Sequence, residues 1–381
     1  MTTMKALHIG DLVIPIPIIQ GGMGVGVSLS GLAAAVANEG GLGVISSAGL
    51  GVLQSGKYSH FKENSTKGLF SEILKAKSLS KGVIGVNIMV ALTNYKELME
   101  TAIAAEADIL FSGAGLPFDM PKYLLPTSKT KLVPIVSSAR AARLICQKWW
   151  NNYHYLPDAI VLEGPKAGGH LGFKLNQLND PLFSLEKLLP EVLDVAHEFG
   201  LMHGKKIPVI AAGGIFNGAD IARFLEAGAD GVQMGTRFVT TTECDASEDF
   251  KQAYLKATMT DIQIIQSPVG MPGRAIKSSF LEDVEAGKRH PKSCPVNCVH
   301  TCDIKTAPYC IMAALTAALR GKFNRGYAFA GSNVWKCDKI ISVEALMNML
   351  KHEYAIHQLI NSPKTTAEHQ ENLVLNNPIR A

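Results

Sequence analysis

A chain of 381 residues with 47% hydrophobic and 18% charged residues can bury a large core, which excludes a disordered protein. The formal net charge is only +4 and the Lys and Arg residues are scattered, so the electrostatic footprint of a nucleic-acid binder is missing. Residues 12–38 carry no charge, yet two prolines and five glycines interrupt them, as a lipid-exposed helix would not tolerate.

The apolar run after Lys5 lacks a small-residue cleavage site, so no secretory signal is read. Seven cysteines, an odd number, are then expected mostly as reduced thiols in a cytoplasmic protein that binds neither membrane nor nucleic acid. In chain order, short β-branched apolar runs recur at 16–20, 42–47, 83–88, 108–113, 132–137, 158–163, 207–212 and 231–236. Amphipathic helical patterns lie between them, at 30–40, 94–107, 141–150, 184–200 and 217–228, several ending in Gly as a helix C-terminus prefers. Continuous apolar runs are the mark of strands buried on both faces, which is the parallel-sheet pattern. Eight βα units in roughly 250 residues predict an α/β fold, a TIM (β/α)8 barrel. A doubly wound open sheet is the rival, but no strand is followed by G-x-G-x-x-G.

A barrel carries its chemistry at the C-terminal ends of its strands. Those ends are rich in glycine here: "QGGMG", "VNIM", "SGAG", "SSAR", "EGPKAGGH", "AAGGI" and "MGTRF". Loops after barrel strands 7 and 8 commonly hold a phosphate, through backbone N–H groups that glycine leaves accessible. Gly213, Gly214, Gly235 and Thr236 are the phosphate candidates; tight turns needing positive φ are the alternative use of such glycines.

"IQGGMG", "EGPKAGGH" and "AAGGIFNGADIARFLEAGADGVQMGTRF" together resemble the nitronate monooxygenase family, formerly the 2-nitropropane dioxygenases, and its near relative the FMN-dependent enoyl-ACP reductase II. The likeness runs from about Ile16 to Phe238. It implies a TIM barrel binding FMN non-covalently, with nitronate and O2 converted to a carbonyl compound and nitrite. In the reductase branch, NAD(P)H reduces the flavin and the flavin an enoyl thioester; an NAD(P)H:quinone reductase is a further alternative. Carried over by residue, the resemblance places Gly22 and Met23 against the flavin ring and Asn87 on the ring or ribityl chain. Ser137 and Glu163 flank the cofactor, while Gly168 and Gly169 let a loop pass close to it. Gly213, Gly214, Gly235 and Thr236 hold the phosphate, in agreement with the position argument. The family often has a lysine or other polar group at the fifth strand end, where this chain offers Ser137, Ser138 and Arg140.

His170 follows two glycines at the barrel mouth, so it is the candidate catalytic residue. An imidazole with an ordinary pKa near 6.5 could remove the α-proton of a nitroalkane, or orient the anionic nitro group of a nitronate. The implied partners are that small substrate and O2, with a homodimer left open.

The division expected is residues 1–240 as FMN-binding barrel, 241–325 as an inserted lid with a cysteine cluster, and 326–381 as a return segment, final helix and tail. Cys294, Cys298, Cys302 and Cys310 follow C-x3-C-x3-C-x7-C, which matches neither the usual zinc nor the common ferredoxin spacing. Four sulfur ligands could hold zinc or an iron–sulfur cluster, but cysteines four apart on a helix face are also simply small buried hydrophobes, so no metal is assigned and the question stays open. In "YAFAGSN", Gly331, Ser332 and Asn333 are small or polar enough to approach the active site.

Overall fold

The computed structural model describes residues 4–56, 58–294 and 296–361. The chain enters through an antiparallel hairpin, β1 (Leu7–Ile9) and β2 (Leu12–Ile14). Their inward side chains Leu7, Ile9 and Ile14 are fully buried in one cluster with Ile19, Leu42 and Ile109, so the hairpin stoppers one end of the barrel.

Each of the eight apolar runs forms a strand. They are β3 (Ile18–Gln20), β4 (Leu42–Ser46), β5 (Ile84–Asn87), β6 (Ile109–Ser112), β7 (Lys131–Val136), β8 (Ile160–Glu163), β10 (Val209–Ala212) and β11 (Gly231–Met234). All pair in parallel, in the closed order β10-β11-β3-β4-β5-β6-β7-β8. Alternation along each strand splits the apolar residues in two. Val44, Phe111, Val133, Val161 and Ile210 fill the barrel, while Ile45, Leu110, Leu132, Leu162 and Ala211 face the helices.

Those helices are α1 (Ser30–Asn38), α2 (Leu50–Ser55), α3 (Phe61–Leu79), α4 (Tyr95–Ala104), α5 (Ala139–Tyr153), α6 (Leu185–His203), α7 (Gly218–Glu226) and α8 (Thr236–Val239). Local chemistry explains their starts. Ser138 caps α5 by accepting from the Ala141 N–H, and Asn217 with Asp220 forms a capping box on α7. Helix α3 is mostly polar, but Phe61, Leu69, Ile73 and Ala76 make a buried stripe that docks it.

With α8 only four residues long, the eighth helical place on the barrel wall is filled from elsewhere. The final helix α12 (Val343–Ile360) packs against α7 and α1; at Gly218 a Cβ would meet the Tyr354 nitrogen at 2.2 Å. Between α8 and α12 lie α9 (Glu248–Lys256), β12 (Ile262–Gln266), β13 (Pro272–Ile276), α10 (Ser279–Glu285) and α11 (Ile311–Leu319). Strand β9 (Gly169–His170), from the loop after β8, joins β12 and β13 in an antiparallel sheet, with Gly273 opposite His170 and Arg274 opposite Gly169. Buried Ile265, Phe280, Met312 and Tyr327 of this region share a core with Val25 of the loop after β3, Val52 of α2 and Phe61 of α3. No described helix is long and apolar enough to cross a membrane.

The helix-face reading of the cysteines does not hold. No helix or strand spans the described residues between α10 and α11, and Cys294 is exposed while Cys298 is buried.

Candidate active site

The C-terminal strand ends open into a cavity of about 260 Å³, roofed by the β9–β12–β13 region and by residues 327–333. Its floor is built close to the backbone. A Cβ on Gly22 would lie 2.4 Å from the Cβ of Asn87, so the chain leaving β3 can pass the end of β5 only as glycine. Met23 borders the same floor, its N–H held by the Ser28 hydroxyl at 2.8 Å. Asn87 itself lines the cavity with no side-chain hydrogen-bond partner among the described residues.

The loop after β8 forms one wall. Glu163 ends the strand, lines the cavity and lacks a hydrogen-bond or ion-pair partner among the described residues; burial pushes its carboxyl up to about 7. Gly168 packs so tightly that a Cβ would come within 2.5 Å of the Gly331 nitrogen. Gly169 takes φ +82° and turns the chain into β9. Arg274 of β13, itself buried, fixes this loop by donating to the carbonyl oxygens of Pro165 and Ala167, the latter at 2.6 Å. The guanidinium has no carboxylate partner among the described residues, and burial lowers it to about 10.

His170 reaches the cavity from β9. Its Nε2 is 2.8 Å from the Ser267 hydroxyl and its ring meets Phe329 edge-on at 5.0 Å. Burial lowers its pKa to about 4, which corrects the ordinary value expected from the sequence. The imidazole is therefore neutral at neutral pH.

Opposite lie the loops after β10 and β11. Gly213 and Gly214 take φ of +95° and +82°, so the turn itself demands glycine there. Among the described residues nothing accepts from the Gly214 N–H, while its carbonyl receives the Asn333 amide at 2.7 Å. Gly235 precedes α8, and the Thr236 hydroxyl accepts from the Gly331 N–H at 2.8 Å, keeping its own hydrogen to donate. Lys166 also borders the cavity.

Eleven of the twelve candidate residues thus converge: Gly22, Met23, Asn87, Glu163, Gly168, Gly169, His170, Gly213, Gly214, Gly235 and Thr236. Ser137 does not. The strand ends at Val136, and the Ser137 Oγ lies against Gly172, where a Cβ would approach it to 2.3 Å; Ile135 supplies that wall instead. Arg274 on β13, Tyr254 on α9, Ser267 just after β12 and Phe329 inside "YAFAGSN" were not foreseen, because each comes in from a distant part of the chain and carries no catalytic motif of its own. Lys166 sits inside "EGPKAGGH" and could have been found there.

The model of the family described as nitronate monooxygenase matches residues 5–109 and 66–353. A probable nitronate monooxygenase of Staphylococcus haemolyticus is 29% identical over 312 residues, covering 72% of this chain and 79% of that one. A (3aS,4S,5R,7aS)-5-hydroxy-7a-methyl-1-oxo-octahydro-1H-indene-4-carboxyl-CoA dehydrogenase of Mycobacterium tuberculosis is 31% identical over 273 residues. That match covers 72% of this chain and 66% of the relative, just under two thirds of its length. The solved structure of FabK from Thermotoga maritima superposes with a TM-score of 0.69 at 26% identity, over 94% of this chain and 96% of that one. Together with a closed parallel barrel whose glycine-lined mouth gathers His170 and Glu163, a family match over nearly the whole described chain means that this protein belongs to the nitronate monooxygenase family of oxidoreductases.

Proposed function

We propose that the protein binds FMN and oxidises alkyl nitronates with O2 to carbonyl compounds and nitrite, acting in the cytoplasm. The observation that carries this reading is the neutral imidazole of His170, set in the same glycine-lined cavity as unpartnered Asn87 and Glu163. The cavity fits FMN on its own chemistry. In this assignment Gly22, Met23 and Asn87 meet the ring, and Glu163, Gly168 and Gly169 border it. The N–H of Gly214 and the hydroxyl of Thr236 donate to the phosphate beside Gly213 and Gly235. Ser137 is left out of that set because it faces Gly172. When bound, FMN supplies the two-electron chemistry that the side chains lack.

His170 keeps one nitrogen on Ser267, and its other nitrogen has no partner among the described residues. A neutral ring can orient an anionic nitro group by hydrogen bonding. With a pKa near 4 it is a weak base toward a neutral nitroalkane, so the site suits a nitronate that has already lost its α-proton. Glu163, near 7, is the cavity group that titrates in the neutral range.

A second reading, reduction of an enoyl thioester at the expense of NAD(P)H, is favoured by the 31% identity to a carboxyl-CoA dehydrogenase, whose named substrate is a thioester. Oxygen uptake with paired nitronate and nitroalkane substrates, beside an NADH control with an enoyl thioester, separates the two. The expected result is nitronate-dependent uptake, weak nitroalkane turnover, and FMN released on heating. NADH oxidation coupled only to the thioester would select the second reading, and protein that takes up no FMN would sink both.

A further inference from the structure

Cys146, Cys244 and Cys337 are buried singly, in the manner of small core hydrophobes. The other four are placed differently. Cys294, Cys298, Cys302 and Cys310 all border one small cavity, together with Pro291, Asn297 and Tyr309, and every one is a free thiol. Cys294, Cys302 and Cys310 all lie within electrostatic reach of Cys298, and Cys294 and Cys310 within reach of Cys302.

The segment that carries them is irregular. Between Glu285 and Ile311 the described residues form no helix or strand, apart from an isolated bridge between Leu92 and Val299. A connection of that length without secondary structure is uncommon in a packed domain and needs something to hold it. Its described tethers to the barrel are few: the Thr93 N–H reaches the Cys298 carbonyl at 3.2 Å, the Thr93 hydroxyl the Asn297 carbonyl at 2.6 Å, and the His300 N–H the Ala91 carbonyl at 2.9 Å.

Among the described residues, no three His, Cys, Asp or Glu side chains close on a point that a single ion could occupy. A mononuclear zinc site requires that closure, with every sulfur about 2.3 Å from one centre. A four-iron cluster does not, because each thiolate binds its own iron and the sulfurs stand around the cluster. A sulfur-only donor set arranged around a cavity matches the second arrangement.

We propose that Cys294, Cys298, Cys302 and Cys310 ligate a [4Fe–4S] cluster, one thiolate to each iron, which ties the irregular segment together beside the active-site cavity. Cys298, Val299 and Ile311 border both cavities, so the cluster would stand behind a wall of the cavity that His170 and Glu163 line. Each thiol gives up its proton on ligation.

The test uses the full-length protein, purified without oxygen and, separately, reconstituted with ferrous iron and sulfide. About four irons and four acid-labile sulfides per chain are expected, with a paramagnetic signal appearing on reduction. Cys302→Ser and Cys310→Ser should lose most of that iron and sulfide while retaining bound flavin, and Cys146→Ala should keep the full complement. Should either serine variant fail to fold, the metal and sulfide content of the wild-type protein still decides. One zinc per chain without iron, or no metal in either preparation with all four thiols titrating freely, would overturn the assignment.

Discussion

At the scale of single residues, His170 is positioned by Ser267 and Phe329 and made neutral by burial. His170→Ala should keep its flavin and lose about 10- to 100-fold in kcat/KM for nitronates, the loss that follows from removing one hydrogen bond to a charged group. Stopped-flow reduction of the bound flavin checks this; if the flavin is lost along with activity, the loop serves the cofactor rather than the substrate. The glycines allow a cleaner test of the phosphate assignment. At Gly214 any side chain is strained by φ +82°, so its replacement confuses folding with binding. Gly235 has a negative φ, and a Cβ there would meet only the Met23 side chain, its sulfur at 3.4 Å and its Cγ at 3.7 Å. Gly235→Val should therefore melt within a few degrees of the wild-type flavin-free protein, yet bind FMN at least about 10-fold more weakly as its branches enter the cavity. Unchanged affinity in a fluorescence titration would place the phosphate elsewhere.

At the scale of elements, the active site depends on an agreement between the loop after β8 and the lid strand β13. Two residues of β9 add to that sheet, and Arg274 holds the preceding turn through two carbonyls. Arg274→Leu leaves both carbonyls unpaired in a buried place, at about 1–3 kcal/mol each if neither finds water. The expected outcome is faster proteolysis or amide exchange across residues 164–171, together with weaker flavin retention, while the barrel strands stay protected. Arg274→Lys should recover part of it, since one ammonium can still reach a carbonyl. Uniform exchange across the whole chain would mean instead that Arg274 supports the fold at large.

At the scale of the molecule, two half-buried titratable groups of the cavity, Glu163 and His170, tilt stability in opposite directions. Glu163 rises from 4.5 to about 7, so the folded chain keeps a proton that the unfolded chain releases between those values. Its contribution is whole below pH 4.5 and is lost as pH climbs through 7. His170 falls from 6.5 to about 4, so its contribution is present above pH 6.5 and is lost as pH drops toward 4. Glu163→Gln removes the first slope alone. The flavin-free variant should unfold in urea with the same free energy as wild type near pH 4.5 and be more stable by about 1–3 kcal/mol at pH 8. A constant difference across pH would show that the carboxyl is not held near 7.

The eight barrel strands could be read directly, because strands buried on both faces must be apolar throughout and glycine must follow wherever backbone meets backbone. "QGGMG", "EGPKAGGH" and "AAGGI" all sit at strand ends and border the cavity, and at Gly22 a Cβ would crowd the Asn87 side chain at 2.4 Å. Sequence could not reveal what arrives from far along the chain. Helix α12 completes the helical ring from residues 343–360, while Ser267 and Phe329 meet His170, and Arg274 the loop just before it, across about 100 residues or more. No periodicity encodes such a meeting. The pKa of His170 belongs to the same class: an imidazole in a motif carries its ordinary value until the tertiary fold removes its water, and here packing beneath the lid takes it down to about 4.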